Sequence, residues 1–422
     1  MSATPYKIPR DRHSVSRRHI DADAIKVLYR LYRAGHTAYL VGGGVRDLLL
    51  GRKPKDFDIV TSARPAQVKR LFRNCRLIGR RFRLAHLIYS HGKLIELSTF
   101  RANPEIESSD EDSDLLVVDD NLFGTPQQDA ERRDFTINSL FYDIGSFSLI
   151  DYVGGLADLQ SGIVRTIGDP MQRFQEDPVR MIRAIKFAAR LEFAIEDSTW
   201  QAMLKLAPII DRSAPSRVSE ELGRLLEEGS AARSLELMAE SGLLKAMDPN
   251  LETYLRMASR GDLDHDPQGD LPYRLLRRCD QLRAQAKLSR AMLFCTWVLP
   301  IALMDGLLDD EEGYWAESVS ECTQRLGVGG RDYELIVATL TLFRRLALRK
   351  KRKRGQGRPL EEREGFPEAL RLLEFFAAEC KGYEEDYRYW LERAPKPAER
   401  VAASPRPPQN RRVVRRRGPR ED

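Results

Sequence analysis

Ile25, Leu28, Tyr29 and Tyr32 recur at helical spacing, and Gly35 stands where such a helix can end. The residues before them, 1–20, are polar and charged and read as a basic arm. Ala38–Val41 is a short apolar run, predicted as a strand, that leads into Gly42-Gly43-Gly44; Val45–Leu50 then predicts a helix. Asp56–Val60 is a second strand candidate. Leu84–Tyr89 and Leu94–Thr99 read as the arms of a hairpin around His91-Gly92. Residues 102–120 are acidic and poor in large apolar groups, the composition of a mobile insertion, and Phe135–Tyr142 returns to regular structure.

From Pro178 onward the pattern is helical almost throughout. In Pro178–Leu191, Asp177 can cap the helix, Pro178 suits its first position, and Ile182, Ile185 and Ala189 share a face. Further helices are predicted over Val218–Glu228, Ala231–Ser241, Leu275–Leu288, Arg290–Met304, Tyr333–Arg349 and Pro367–Glu379. The fold class is therefore α+β: a head with a small mixed sheet, followed by all-helical regions. Neither an internal repeat nor a sustained heptad is visible.

A length of 422 residues favours more than one domain, and 42% hydrophobic residues is enough to build cores, which excludes a wholly disordered chain. The formal net charge of +6 is concentrated at one end: residues 396–422 carry nine Lys/Arg against three Asp/Glu, leaving the rest near neutral. Arg349–Arg354 is a second run of six cations. A basic tail on a balanced body points to a polyanion, nucleic acid first and an anionic membrane surface second. A solvated face or solubility tail is the competing explanation. The five cysteines lie far apart without a CxxC pair, so zinc ribbons and redox motifs are not expected. No signal-peptide core stands at the N-terminus, and the longest apolar run, near Ala291–Met304, contains Pro300 and is too short to span a bilayer. A cytoplasmic location is the expectation.

Five segments carry candidate chemistry. Gly42-Gly43-Gly44-Val45-Arg46 lies between a strand and a helix start, where backbone N–H groups can approach phosphate; Arg46 can add a charged contact, although a tight structural turn also explains the glycines. Asp56 and Asp58, two apart on a strand, project to one side, and two adjacent carboxylates suit Mg²⁺. Glu96 is a charge inside an apolar strand that could join them. In Arg132-Arg133-Asp134-Phe135-Thr136-Ile137-Asn138, the arginines can pair with phosphates, while Asp134 and Asn138 can meet ribose hydroxyls; a helix cap at Asp134 is the alternative. Asp177 and Arg180, three apart at a helix start, could read a base edge, or form an N-cap with a surface ion pair.

Together LVGGGVRDLLLG, KDFDIV, IELSTFR, RRDFTINSL, DYVGGLADLQSG and EDPVRMIRAIKFAARL resemble the class II tRNA nucleotidyltransferase/poly(A) polymerase family, continuously over residues 20–245. LFRNCRLIGRRFRLAHL, with Arg80-Arg81-Phe82, DNLFGTPQQDAERRDFTINSLFYD and the arginine-rich C-terminus resemble its bacterial poly(A) polymerase branch. The stretch after Arg101 lacks the DGRHP-like segment of the CCA-adding branch.

The resemblance implies a nucleotidyltransferase head over residues 21–165, a helical neck for base recognition over 166–245 and, behind them, a helical body, expected with RNA binding over 246–395; the Arg-rich tail over 396–422 reads as disordered from its composition. It implies Asp56 and Asp58 as metal ligands with Glu96 as third carboxylate, and Asp134 in the ribose motif. Gly42, Gly43 and Arg46 match triphosphate positions, with Arg133 and Asn138 beside them; Asp177 and Arg180 match base-recognition positions. RNA contacts are expected at Arg349, Lys350, Lys351, Arg352, Lys353, Arg354, Arg411, Arg412, Arg415, Arg416 and Arg417. The expected activity is template-independent addition of AMP from ATP to RNA 3′ ends, with Mg²⁺, in RNA processing and decay. A monomer meeting RNA-decay or RNA-chaperone proteins is the expected context. The alternatives are a CCA-adding enzyme, a non-catalytic RNA-binding protein and a metal-dependent phosphohydrolase; against the last, the six histidines form no ligand cluster.

Overall fold

The computed structural model describes residues 5–79, 84–102, 123–283, 288–309, 314–349 and 359–394. In chain order the head contains β1 (Tyr6–Ile8), α1 (Ala22–Arg33), β2 (Ala38–Val41), α2 (Gly43–Leu49), β3 (Asp58–Thr61), α3 (Pro65–Leu71), β4 (Cys75–Ile78), β5 (Leu84–Ile88), β6 (Leu94–Thr99), α4 (Pro126–Glu131), β7 (Leu140–Asp143), β8 (Leu149–Asp151) and α5 (Gly155–Ser161). Eight of these strands form one sheet in the order β1-β8-β7-β2-β3-β6-β5-β4. Only β3 and β6 pair in parallel, so the sheet is mixed as expected.

Alternation sorts the strand residues onto two faces. Leu40, Ile59, Leu87, Ile95, Leu97 and Leu140 face the main core, which α1 covers with Ala24, Val27, Leu28 and Leu31. That buried stripe is not the one predicted: Tyr32 is exposed, and Ile25 and Tyr29 lie at its margin. On the opposite face Val41, Val60, Phe141 and Ile150 make a smaller core with Phe100 and with Ala130 of α4.

Three further differences have local causes. The arm predicted over residues 1–20 contributes β1, whose alternate residue Ile8 is buried and whose backbone pairs with β8. The strand predicted from Asp56 begins at Asp58, because β2 ends at Val41, the partner of Asp58, and the chain beyond turns away at Gly42. Gly42 has φ of 74°, a left-handed conformation that favours glycine, and α2 starts at Gly43 rather than Val45.

Behind the head come β9 (Ile163–Val164), α6 (Pro170–Glu176), α7 (Val179–Leu191), β10 (Ala194–Ile195), α8 (Asp197–Leu206), α9 (Pro215–Glu227), α10 (Ala231–Glu240), α11 (Leu243–Met247), α12 (Pro249–Ala258), α13 (Leu271–Leu282), α14 (Arg290–Met304), α15 (Trp315–Arg325), α16 (Gly330–Ala347), α17 (Phe366–Glu379) and α18 (Glu384–Arg393). The short parallel β9–β10 pair is the exception to an all-helical rear. α14 is buried on nearly every side, which explains its continuously apolar sequence. Among the described residues no helix is long and apolar enough to cross a membrane. Cys279, Cys295 and Cys322 are buried free thiols, and Cys75 and Cys380 are partly buried.

Candidate active site

A cleft of about 550 Å³ opens between the sheet and the helices α7 and α9. Its floor follows from strand register. Val41 pairs with Asp58, so the turn at Gly42 stands beside the start of β3. The parallel pairing of Ile59 with Leu97 sets Asp58 next to Glu96 one step back along each strand. Gly44 allows the start of α2 to press on the Asp56 backbone: a Cβ there would lie 3.2 Å from the Asp56 carbonyl oxygen. Gly42, Gly43, Arg46, Asp56, Asp58, Glu96, Arg133, Asp134 and Asn138 thus line one cleft, although they span nearly a hundred residues of sequence.

The carboxylates on this floor repel one another. Asp58 opens into the cleft but sits deep in it; burial and the nearby Glu96 and Asp56 charges push its carboxyl up to about 6, against the opposing pull of Arg133. Glu96 lies 3.6 Å from His86 Nε2, its cross-strand partner on β5. Among the described residues neither Asp56 nor Asp58 makes an ion pair, and no three His, Cys, Asp or Glu side chains close a metal cage.

The other charges are tightly held. Arg46 is 2% exposed; its Nε and Nη2 donate to Asp47 Oδ1 at 3.0 and 2.8 Å, and its Nη1 donates to Asn138 Oδ1 at 2.6 Å. Burial lowers the Arg46 pKa, with Asp47 opposing the shift. The guanidinium expected to reach for phosphate is therefore committed to two protein partners while it lines the cleft. Arg133 pairs with Asp129 of α4 at 2.9 Å.

Asp134 caps no helix. Its Oδ1 accepts from Phe135 N and Asn138 Nδ2, and its Oδ2 accepts from Arg183 Nε at 2.8 Å and Nη2 at 2.6 Å. Burial would raise its pKa, but the Arg183 charge and these bonds overcome that and hold the carboxyl at about 2. Asp134 in turn raises the Arg183 pKa.

α7 forms the facing wall. Arg183, Lys186, Phe187 and Arg190 project from one side at three- and four-residue spacing and all line the cleft. Arg190 donates to Asp47 Oδ2 at 2.9 Å. Lys186, 3% exposed, donates to Glu221 Oε2 of α9 at 2.7 Å. Arg173 of α6 adds a third tie, donating to the Arg132 and Arg133 carbonyls, each at 2.7 Å. None of these cations stood among the sequence candidates, although the stripe of Arg183, Lys186 and Arg190 continuing from Arg180 was a usable signal.

Asp177 and Arg180 do not line this cleft. They line an adjoining cavity of about 210 Å³ that shares Asp134 and Arg183 with it. Asp177 does not cap α7, whose preceding residue Pro178 makes no side-chain cap; its Oδ2 accepts from Arg217 at 2.8 Å, and its buried Oδ1 has no hydrogen-bond partner. Arg180 donates to Glu176 Oε2 and to the Arg173 carbonyl. Arg349 pairs with Asp386 at 3.0 Å and lies over the Tyr389 ring, far along the helical region. Lys350, Lys351, Arg352, Lys353, Arg354, Arg411, Arg412, Arg415, Arg416 and Arg417 lie outside the described residues, as do Arg80-Arg81-Phe82 and residues 103–120.

Residues 38–165 match the family model described as poly A polymerase head domain, and residues 192–255 match the one described as probable RNA and SrmB- binding site of polymerase A. Poly(A) polymerase I of Salmonella typhi is 40% identical over 384 residues, covering 88% of this chain and 81% of that protein. Poly(A) polymerase I of Escherichia coli O6:H1 is 48% identical over 252 residues, covering 58% and 54%. The crystal structure of the Bacillus stearothermophilus CCA-adding enzyme in complex with CTP superposes with a TM-score of 0.61 at 25% identity, over 88% of this chain and 82% of that one. The chain belongs to the class II nucleotidyltransferase family, enzymes that add nucleotides to RNA 3′ ends. Within that family it is a homologue of bacterial poly(A) polymerase I.

Proposed function

We propose that this protein is a poly(A) polymerase that transfers AMP from ATP to RNA 3′ ends and releases pyrophosphate. The observation that carries the reading is the strand register that gathers Gly42, Asp58 and Glu96 on one cleft floor beneath the cationic face of α7. The choice of adenylate is supported by the 40% identity to the Salmonella typhi polymerase over most of both chains.

The donor set fits a divalent cation, since Asp56, Asp58 and Glu96 line one cleft and Asp58 is pushed up by burial and then by the Glu96 and Asp56 charges, a cost that a bound cation relieves. Asp56 and Asp58 would hold Mg²⁺, with Glu96 as third carboxylate. An incomplete protein cage suits this ion, which keeps waters and substrate phosphates as ligands. Bound there, it would supply activation of the attacking hydroxyl and neutralisation of the leaving pyrophosphate.

The remaining roles follow from position. Backbone N–H groups at Gly42 and Gly43 meet the triphosphate at the helix start. Arg133 adds charge beside Gly42: its Nη1 lies 3.7 Å from where a Gly42 Cβ would be. Asp134 acts as an anchor, holding Arg183 and Asn138 in place. Arg46 likewise fixes Asn138, leaving that amide at the ribose. Asp177 and Arg180 read the adenine edge from the adjoining cavity. RNA arriving through basic segments would bind chiefly by its phosphates, with strong salt dependence. Tails made this way would serve RNA processing and decay.

Incorporation on two RNAs tests the proposal: a generic single strand and a tRNA lacking its terminal CCA, each with ATP, CTP or both. Long adenosine tails on the generic RNA from ATP alone are the expected result. The likeness to a CTP-bound CCA-adding enzyme supports a second reading. Addition that needs CTP, prefers the tRNA and stops after three nucleotides would establish it and overturn the first.

A further inference from the structure

The sheet is covered unevenly. Over β2, β3, β7 and β8 its outer face is packed against Phe100 and Ala130. Over β4, β5 and β6 the same face is open among the described residues. Ile78, Ile88 and Leu94 there are 41%, 46% and 39% exposed, three of the nine large apolar side chains that stand exposed in the described chain. Their clustering on one small face separates them from scattered surface residues, which need no explanation.

Register arranges this face in rows. Ile78 stands opposite Leu84, and Ile88 opposite Leu94. Between these apolar rows runs a polar one, Arg76 to His86 to Glu96, which continues to Asp58 on β3. Four strands at the usual spacing make this row about 14 Å long. It starts at a cation on the sheet edge and ends at the carboxylates of the cleft, where Leu94 and Glu96 are themselves lining residues.

Phosphoryl transfer requires the attacking hydroxyl and the leaving pyrophosphate to lie roughly in line on opposite sides of the reacting phosphorus. The glycine turn, which takes the triphosphate in the function proposed above, flanks Asp58 on the β2 side. The hydroxyl must then come from the β6 side, which is where the open face lies. We infer that the outer face of β4–β6 is the track on which the 3′-terminal nucleotides of the RNA approach the carboxylates. This rests on that reading of the cleft. The occupant is single-stranded RNA: the flat aliphatic rows accept bases without selecting among them, and Arg76 meets a backbone phosphate. Ile88 and Arg76 are binding residues for the primer and have no contact with ATP.

The test uses the full chain with Ile88→Glu and Arg76→Ala, singly and together, on a short oligoadenylate primer. Both side chains are exposed, so the fold should survive, and thermal melting checks this. The expected result is a rise of about tenfold in KM for the primer in the double variant, with KM for ATP and kcat at saturating primer within about twofold of wild type. A photo-crosslinker in place of Ile88 should also capture the last nucleotides of a 3′-labelled oligoadenylate, a readout that needs no turnover. Unchanged primer KM would overturn the inference. So would crosslinking only to the chain's own acidic residues 105–120, which would then be the occupant of this face. If wild type extended no RNA with any nucleotide, the function proposed above would fail, while RNA capture at Ile88 would still decide the track.

Discussion

The cleft holds two sets of carboxylates with opposite surroundings. Asp47 and Asp134 are each gripped by arginines, Asp47 by Arg46 and Arg190, Asp134 by Arg183. Asp56 and Asp58 make no ion pair among the described residues, and Asp58 feels mainly burial and other carboxylates. The pKa directions follow: Asp134 is held down at about 2 and Asp58 is pushed up to about 6. The protein uses its own cations to fasten the helices to the head. It leaves Asp58, at the start of β3, and the preceding Asp56 without an ion-pair partner among the described residues, an arrangement that suits a cation from outside. One set fastens the walls of the cleft, and the other is the set proposed above to hold its metal.

The largest expected effect separates chemistry from folding. Asp56→Asn or Asp58→Asn should lower kcat for nucleotide incorporation about a thousandfold, the loss of several kcal/mol of charge stabilisation. RNA binding should be retained. Near-normal incorporation in either variant would remove the metal-ligand assignment.

Next comes the anchor. Arg183→Met leaves the buried Asp134 and Glu221 carboxylates short of a partner and should destabilise the protein by about 3 kcal/mol in denaturant unfolding. In Arg183→Met/Asp134→Asn the loss should be smaller than the sum of the two singles. Additive losses would show that the pair is not a coupled unit.

The pH dependence of stability should differ in sign between Asp134 and Asp58. Asp134 has a folded pKa below its unfolded value of about 3.9, so its contribution is present above about pH 4 and is lost as pH falls towards 2. Melting curves of Asp134→Asn should therefore converge on wild type across that window, from a deficit of about 2 kcal/mol. Asp58 runs the other way: its raised folded pKa makes ionisation costly, so stability declines between about pH 4 and pH 6 in metal-free buffer.

The smallest effect is the relief of that cost. Without metal at neutral pH, Asp58→Asn should be stabilised by less than about 1 kcal/mol, discounted for the exposure of Asp58 to the open cleft. Added Mg²⁺ should raise the Tm of wild type and leave this variant unmoved. An equal rise in both would place the ion elsewhere.

Much of this organisation is readable along the chain. Ala38–Val41, Leu94–Thr99 and Arg290–Met304 have the predicted bounds because apolar periodicity is local and their cores are one-sided or continuous. Glu96 was identifiable because a charge inside an apolar strand is conspicuous, and Asp56 and Asp58 because two carboxylates two residues apart follow the glycine turn. The partners of Arg46 and Asp134 were not. Sequence shows a guanidinium and a carboxylate, and only the tertiary structure brings Asp47 and Asn138 to the one and Arg183 to the other. β1 escaped prediction because three residues of edge strand carry too little pattern to stand out from a polar arm.

Residue order alone determines most of the segments that become strands and helices, where the glycine turn falls, and that Asp56 and Asp58 lie two residues apart close behind it. Those are short-range matters of side-chain size, spacing and backbone freedom. That Glu96 joins Asp58 depends on the pairing of β3 with β6, and the closing of the cleft depends on α6 docking through Arg173 and α7 through Arg183 and Arg190. Such contacts join residues dozens of positions apart. Their partners are selected by burial and charge pairing in three dimensions, for which the chain carries no local mark.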